Sequence, residues 1–317
     1  MEAIQTKAFI RGIKGELGKI IVEQEKVIDL ILIAILTNGH LLLEGVPGLG
    51  KTLLIKSLAK TMGVDFKRVQ FTPDLMPSDI TGARIYNIKE KEFKFIKGPI
   101  FTNLLLGDEI NRTPPKTQAG LLEAMEERRV TIDGESYKLE EPFIVFATQN
   151  PIEYEGTYPL PEALLDRFLM KVHIDYPSIE GEVEIMKKYH KGFDKSLYDI
   201  DIKQIGSSED ILNCQREIAN ITVEDLLIEY MVNIIQKTRE SPFIEIGSSP
   251  RGSISLLQAS KANAVLMERD FVIPEDIKKV AYPVLRHRIT LKPEAYVEGI
   301  KPEDVIHEIL SNVKVPR

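Results

Sequence analysis

The sequence predicts an α/β fold, in which a mainly parallel sheet lies between helices and a smaller helical domain follows. Two observations predict it. Between residues 40 and 175, short and nearly continuous apolar runs alternate with helical stretches, which is typical of buried parallel strands covered by helices. After residue 177 the strand signals fade and helical periodicity replaces them. We therefore expect an α/β core over residues 1–177, and a linker with a helical domain over residues 178–317.

The composition fits a folded cytoplasmic protein. Hydrophobic residues make up 43% of the 317 residues and charged residues 28%, so the chain has enough apolar residues for a core. The net charge of −7 disfavours a broad electrostatic contact with nucleic acid or anionic lipid. The single cysteine, Cys214, predicts a reducing compartment and no structural zinc. The N-terminus lacks a signal-peptide segment, and the longest apolar run, Leu30–Leu36, is far shorter than the roughly 20 residues of a membrane span.

The elements of the core follow one another in a regular order. The apolar run at Leu30–Leu36 predicts a buried helix that ends at Asn38-Gly39. Ligands bind at the carboxyl ends of parallel strands, so the polar residues that follow each strand are where a site is expected. The five candidate parallel strands are Leu41–Leu43, Arg68–Phe71, Leu104–Leu106, Phe143–Ala147 and Phe168–Ile174.

Two stretches inside the core are expected to be antiparallel hairpins. Arg84–Ile88 and Phe93–Ile96 flank a charged turn, while Val130–Ile132 and Tyr137–Leu139 flank a turn that contains Asp133-Gly134. Downstream of the core, helical periodicity predicts four helices, at residues 183–186, Glu224–Lys237, Ser253–Met267 and Pro274–Arg286.

A phosphate-binding loop is the sharpest motif in the chain. It follows the strand Leu41–Leu43 and precedes the helical run Leu53–Met62, the context that such a loop requires. Its glycines allow backbone N–H groups to surround phosphate oxygens at a helix N-terminus. Lys51 is expected to hold the β and γ phosphates of ATP, and Thr52 to ligate Mg²⁺; the alternative is a glycine-rich structural turn. The loop consists of Gly45, Val46, Pro47, Gly48, Leu49, Gly50, Lys51 and Thr52.

Two acidic residues end the strand Leu104–Leu106, as in a Walker B segment. We expect Asp108 to hold Mg²⁺ through water and Glu109 to polarise the attacking water, which favours ATP hydrolysis over phosphoryl transfer to a small molecule. The alternative for this acid pair is a solvated turn. Asn150, after the strand Phe143–Ala147, is expected to hydrogen-bond the γ-phosphate or the water; the alternative is a turn cap before proline.

This order of elements resembles the AAA+ ATPases, and within them the MoxR family. The resemblance runs from about Ile20 to Arg288 and implies a P-loop core with hairpin insertions, followed by an all-α lid. It also implies a hexameric ring that uses Mg-ATP to remodel or activate client proteins, with a von Willebrand factor A domain protein as partner. The segments that carry it are Val69–Gly82, Gly98–Arg112, Pro114–Gln118, Leu121–Arg128 and Thr148–Pro151.

The resemblance implies roles for two arginines. Arg167, in the segment Leu160–Phe168, corresponds to the arginine finger that reaches the γ-phosphate of the neighbouring subunit; the alternative is a local ion pair with Asp166. Arg251, in the segment Gly247–Gly252, corresponds to sensor 2 and touches the nucleotide phosphates of its own or a neighbouring subunit.

The segment beside the adenine departs from the family pattern. Where the family often has Ile-Val-Gly-Gln, this chain has Ile21-Val22-Glu23-Gln24. Contacts of Val22 and Gln24 with the base are therefore one interpretation, and a solvated helix start is the other.

The resemblance also places both hairpins at the central pore of the ring. Three aromatic side chains, Tyr86, Phe93 and Phe95, are then candidates to grip a client, although aromatic residues in hairpins also pack against each other. A nucleic-acid motor is the alternative function, which Arg128 and Arg129 near the second hairpin keep open. A nucleotide-gated scaffold is disfavoured by the acid pair, and a small-molecule kinase by the lid arginine and the finger segment.

Overall fold

The computed structural model describes residues 2–150, 156–190 and 202–316, with side chains from Thr6 onward. Helices and strands alternate through the first half, and helices dominate the second half. The helices are α1 (Glu2–Leu17), α2 (Glu25–Leu36), α3 (Lys51–Met62), α4 (Pro77–Thr81), α5 (Pro115–Glu127), α6 (Glu162–Leu165), α7 (Ile179–Lys188), α8 (Ser208–Ala219), α9 (Asp225–Glu240), α10 (Pro250–Leu266), α11 (Pro274–Leu285), α12 (Pro293–Val297) and α13 (Pro302–Asn312). The strands are β1 (His40–Glu44), β2 (Phe66–Gln70), β3 (Gly82–Asn87), β4 (Glu92–Lys97), β5 (Leu104–Asp108), β6 (Arg129–Ile132), β7 (Glu135–Lys138), β8 (Ile144–Gln149), β9 (Phe168–His173), β10 (Ile244–Ile246) and β11 (Thr290–Leu291).

Five strands form the central sheet in the order β2-β5-β8-β1-β9, and every neighbouring pair is parallel. This confirms the predicted α/β fold and all five candidate strands, with ends shifted by at most two residues. Because the strands are parallel, the P-loop after β1, the acids at the end of β5 and Asn150 after β8 all lie at one edge of the sheet, which we call the carboxyl edge. The opposite edge, where the strands begin, we call the amino edge.

The hydrophobic core has two parts, because successive side chains of β1 point to opposite faces of the sheet. Leu41 and Leu43 point into a cluster with α2, α3 and the helices of the second half, whereas Leu42 points into a cluster with Phe71 and Phe143. Residues 31–36 of α2 are all buried, which explains why this helix reads as a continuous apolar run. The sheet that carries the P-loop is therefore fixed by apolar packing on both faces.

Helix α1 was not predicted, because charged residues interrupt its apolar positions. Ile10, Ile13 and Leu17 nevertheless recur at helical spacing and are buried in the cluster that contains α2 and α3. A narrow apolar stripe on an otherwise charged helix gives a weak sequence signal.

Both predicted hairpins are present and contact each other. In the first, β3 pairs with β4 so that Tyr86 faces Phe93, and in the second, β6 pairs with β7. The ring of Phe95 lies 4.4 Å from that of Tyr137 between centroids, and Arg84 donates to the Tyr137 hydroxyl at 3.3 Å. The hairpins therefore form one unit.

The second half is helical, as predicted, and to the four predicted helices the structure adds α8, α12, α13 and a short ribbon. Strands β10 and β11 form a short antiparallel ribbon in which Ile244 pairs with Leu291; strands of three and two residues leave too little pattern to be predicted. Within the described ranges, no helix is long and apolar enough to cross a membrane. The division of the chain at residue 177 stays a prediction.

Candidate active site

The P-loop connects β1 to α3 and is shaped by two left-handed glycines. Gly48 and Gly50 have φ angles of 88° and 75°, which glycine adopts without steric cost. Lys51 begins α3, and its Nζ donates to the carbonyl oxygen of Gly45 at 2.6 Å, which folds the side chain back over the loop. Thr52 is the second residue of α3 and therefore lies at the same helix N-terminus.

Lys51 and the two acids act on each other electrostatically. Burial lowers the pKa of Lys51, while the charges of Asp108 and Glu109 act in the opposite direction. The carboxyl edge therefore combines a cation with two carboxylates, as the sequence motifs predict. A triphosphate with a divalent cation would complete this charge distribution.

Thr148, at the end of β8, fixes the two acids. Its hydroxyl donates to Oδ1 of Asp108 at 2.5 Å and accepts the backbone N–H of Glu109 at 2.9 Å. Glu109 is in the left-handed region with a φ of 58°, so the chain turns sharply directly after β5. Sequence reasoning assigned no role to Thr148, for which the only signal was its position at the end of a buried strand.

Strand β2 supplies two further contacts that the sequence did not reveal. Arg68 donates to Oδ2 of Asp108 from Nε at 3.0 Å and from Nη2 at 2.6 Å. Gln70 donates to Oε2 of Glu109 at 2.7 Å, and Arg112 approaches the same oxygen at 3.0 Å. The parallel register, which places Gln70 beside Asp108, brings these side chains together.

Asn150 directly follows β8 and is buried. The preceding residue, Gln149, accepts the N–H of Gly45 at 3.4 Å through its carbonyl oxygen, which places this strand end beside the P-loop. The carboxyl edge thus gathers the ends of β1, β5 and β8, where the predicted site residues lie.

A cavity of about 240 Å³ adjoins the P-loop. Gln24 Nε2 donates to the Leu49 carbonyl oxygen at 3.1 Å. Because a carbonyl only accepts, this bond fixes the amide orientation, and Oε1 of Gln24 is a buried acceptor without a partner among the described residues. Residues that line the cavity include Val22, Gln24, Leu49, Leu53, Ile185 and Tyr189.

Glu44, which ends β1 directly before the P-loop, is held by two basic side chains of β9. Lys171 Nζ lies 2.8 Å and His173 Nε2 3.0 Å from its carboxylate. Burial raises the pKa of Glu44, but hydrogen bonds and charge from His173 and Lys171 outweigh it and lower the pKa to about 2. This cluster ties β9 to the strand that carries the loop.

The two arginines implied by the family resemblance lie together, away from these residues. Arg167 forms an ion pair with Glu126, and Arg251 Nη2 lies 3.4 Å from the same carboxylate. Asp166 pairs with Arg288 at 3.0 Å and with Arg251 at 3.6 Å. The structure therefore pairs Arg167 with Glu126 rather than with its neighbour Asp166.

This arginine cluster lies at the amino edge of the sheet. Arg167 directly precedes β9, whose first residue, Phe168, pairs with His40 at the start of β1. The P-loop begins only after Glu44, and five strand residues at roughly 3.3 Å each separate the two levels by about 16 Å. Arg167 and the P-loop of the same chain are thus not brought together.

The side chains near the two hairpins divide into engaged and exposed ones. Arg128 donates to the carbonyl oxygens of Asn38, at 2.5 Å, and Phe143, within the amino edge. Phe95 packs between Phe101 and Tyr137, which is the alternative given for aromatic residues in a hairpin. The ring centroids of Tyr86 and Phe93 lie 5.2 Å apart with the planes tilted by 59°, yet the two residues remain 48% and 67% exposed.

Comparisons with known proteins agree with this architecture. Residues 40–170 match the family model of the ATPase family associated with various cellular activities (AAA), and residues 236–309 match the AAA lid domain. The chain is 51% identical over 300 residues to the uncharacterized protein YeaC of Bacillus subtilis, covering 95% of this chain and 92% of that protein. It is 44% identical over 311 residues to chaperone MoxR1 of Mycobacterium tuberculosis, covering 95% and 81%.

A solved crystal structure is also similar. It is that of a proposed ATPase from Cytophaga hutchinsonii, with a TM-score of 0.92 and 44% identity, covering all of this chain and 97% of the other. At this identity the similarity extends beyond the fold to the sequence of the core and lid.

Proposed function

The chain belongs to the MoxR family of AAA+ ATPases, and on that basis we propose that it hydrolyses Mg-ATP in a hexameric ring to remodel or activate a client protein. One observation carries the proposal. Lys51, Asp108 and Glu109 meet at the carboxyl edge, where the P-loop opens α3. A cation, two carboxylates and a helix N-terminus are the parts that ATP hydrolysis requires.

The residues of this edge have separate tasks in the proposal. The P-loop N–H groups and Lys51 hold the phosphates. The hydroxyl of Thr52 and the carboxylate of Asp108 are hard oxygen donors that suit Mg²⁺, which when bound neutralises phosphate charge. The carboxylate of Glu109 accepts a hydrogen bond from the attacking water and so polarises it and orients it in line with the γ-phosphate. Asn150 hydrogen-bonds that water or the phosphate.

The cavity beside the P-loop is the proposed base pocket. Gln24 Oε1 is buried without a partner in the described part of the chain, and an unpaired buried acceptor is costly until it meets a donor. The exocyclic amino group of adenine supplies such a donor, whereas guanine carries a carbonyl oxygen at that position. This favours ATP over GTP and the interpretation that Gln24 contacts the base.

The position of Arg167 and Arg251 supports the proposal that subunits assemble into a ring. Because Arg167 lies at the amino edge, about 16 Å along the strand from its own P-loop, we propose that it reaches the nucleotide of a neighbouring subunit. Arg251 shares the carboxylate of Glu126 with Arg167, so the lid arginine is proposed to act in trans as well. Each active site is then composite, and closure of the interface assembles it.

A protein client fits the structure better than nucleic acid does. The first hairpin exposes apolar side chains, among them Ile88, which is 81% exposed, together with Tyr86 and Phe93. Of the two arginines that kept a nucleic-acid motor open, Arg128 is engaged within the amino edge and Arg129 lies 3.9 Å from the carboxylate of Glu127. The net charge is −7. A von Willebrand factor A domain protein remains the proposed partner.

Glu109→Gln tests the proposal. The variant should bind fluorescent ATP with unchanged affinity but hydrolyse ATP at least about 10²-fold more slowly, because water loses its polarising carboxylate. Glu298→Gln, at an exposed site in the lid, is the matched control and should keep full activity. Hydrolysis by Glu109→Gln at the wild-type rate would refute the role of Glu109.

A further inference from the structure

Glu23 has an unusual backbone conformation for its residue type. Its φ is 55°, in the left-handed region, where a side chain is strained and glycine is not. Glycine is also what the resembling family often has at this position. Contacts of the Glu23 carboxylate must therefore compensate for the strain.

The carboxylate of Glu23 holds the first turn of α7. Its Oε2 accepts the backbone N–H of Ser178 at 2.8 Å, and Oε1 accepts the Ser178 hydroxyl at 2.7 Å. The Ser178 hydroxyl in turn accepts the N–H of Gly181 at 3.1 Å and so caps the helix. Residues 23 and 178 are 155 positions apart in sequence, so these bonds fix a long-range contact.

Gly181 lies against the carboxylate of Glu23 and leaves no space there for a side chain. A Cβ atom built at Gly181 would overlap Oε2 and Cδ of Glu23, so any larger residue would push the glutamate away. The first turn of α7 is thus shaped around Glu23. We call the three residues Glu23, Ser178 and Gly181 the α7 latch.

Little apolar packing holds α7 otherwise. Of its ten residues, all of them described, only Gly181 is buried. At the other end of the helix, Lys188 donates to the carbonyl oxygen of Lys19 at 3.1 Å. The position of α7 on the core therefore depends on polar contacts at its two ends, which open more readily than a packed apolar interface.

Helix α7 forms one wall of the cavity beside the P-loop. Ile185 and Lys188 line the cavity from the helix, and Tyr189 follows directly; Val22 and Gln24, the neighbours of Glu23 in sequence, line the same cavity from the segment before α2. Glu23 therefore connects the two walls. Movement of α7 away from the latch would open the cavity to solvent.

We propose that Glu23 is a positioning residue that closes the base pocket by latching α7 across it, and so slows the release of bound ADP. The inference rests on the proposed function in one respect: the cavity must take the nucleotide base. Glu23 does not contact the nucleotide itself. It acts through α7, and the strain at Glu23 is retained because glycine at this position would leave α7 without its tether.

Release of a fluorescent ADP analogue, followed by stopped flow, tests the latch. Glu23→Gly should release the analogue about five- to tenfold faster, since it loses two hydrogen bonds to a charged acceptor, and Glu23→Gln should lie between it and the wild type. Gly181→Ala should match Glu23→Gly, and the double variant should be no faster than either single one, because both break the same contact. Glu25→Gln, an exposed acid nearby, is the control and should release at the wild-type rate.

Pyrophosphate separates the latch from general damage. It occupies the P-loop without a base, so its affinity should be the same in the wild type and in Glu23→Gly. The midpoint of thermal unfolding should be the same in Glu23→Gly as in the wild type. Glycine relieves the backbone strain at position 23, and this gain offsets the loss of the hydrogen bonds to Ser178.

Unchanged ADP release in both Glu23→Gly and Gly181→Ala would overturn the inference while leaving the proposed function intact. A loss of pyrophosphate affinity in Glu23→Gly as large as its loss of ADP affinity would also overturn the inference, because the effect would then lie in the P-loop. A wild-type chain that binds no ADP analogue would overturn the proposed function and the inference together.

Discussion

Two inactive variants should restore ATP hydrolysis to each other when they assemble together. Arg167→Ala removes the proposed finger, and Glu109→Gln removes the carboxylate that polarises water. About 16 Å of strand separates Arg167 from its own P-loop, so in the proposed mechanism each active site takes these two residues from different subunits. A site on an Arg167→Ala subunit is complete when its neighbour is a Glu109→Gln subunit, which still carries the finger.

The expected magnitude follows from this geometry. Arg167→Ala alone should hydrolyse ATP about 10³-fold or more slowly than the wild type, the usual effect of a finger, and Glu109→Gln alone should be similarly inactive. In a ring of head-to-tail interfaces with random 1:1 mixing, about one interface in four has an intact site and an intact finger. The mixed ring should therefore regain roughly a quarter of the wild-type rate per site.

The assay is steady-state phosphate release from rings that contain both variants. Co-expression with two different affinity tags and sequential purification ensures that each ring holds both. A co-expressed ring of Lys51→Ala with Glu109→Gln is the control, because every site then lacks a residue of its own chain, and it should stay inactive. Activity equal to the mean of the two single variants would refute the reasoning. It would mean that Arg167 acts within its own chain or has no part in hydrolysis.

Three other predictions concern the base pocket, the loop and the core. Gln24→Leu should reduce the preference for ATP over GTP about five- to tenfold in competition binding, because the buried acceptor for the amino group is lost; an unchanged preference would exclude Gln24 from base recognition. The pKa of Glu44 is lowered from 4.5 to about 2 in the folded chain, so its stabilising contribution is present above pH 4.5 and is lost as pH falls from 4.5 to 2. This is up to about 3 kcal/mol, and urea unfolding at a series of pH values should give curves for wild type and Glu44→Gln that converge towards pH 2; parallel curves would contradict it. Phe146→Ala, at a fully buried position of β8, should lower the free energy of unfolding by about 3–5 kcal/mol in the same assay, and a loss below 1 kcal/mol would show that the site is not rigidly packed.

The sequence predicts the parallel strands well because burial on both faces makes them almost continuously apolar. The strand Leu41–Leu43 lies within β1, and the P-loop follows it as expected. Sheet order is not encoded in such runs, since β8 separates β5 from β1 although 35 residues of other structure lie between β5 and β8. Short or charged elements were missed, such as α1 and the ribbon of β10 with β11.

The site was predicted where a motif places its residues close together along the chain. Lys51 follows the glycines of its loop, and Asp108 and Glu109 are adjacent. Contacts between distant residues were not predictable, because they depend on strand register and helix placement. The pairs of Arg68 with Asp108 and of Glu126 with Arg167 span 40 and 41 positions, and neither carries a local signal.

Specific ATPase activity across a dilution series tests the central claim, the composite site, most directly. The activity per chain of the wild-type protein should rise with protein concentration in step with assembly measured by sedimentation, because a single chain holds its own phosphate loop and acids but not the finger that completes them. Full activity per chain at dilutions where the protein sediments as a monomer would contradict the account.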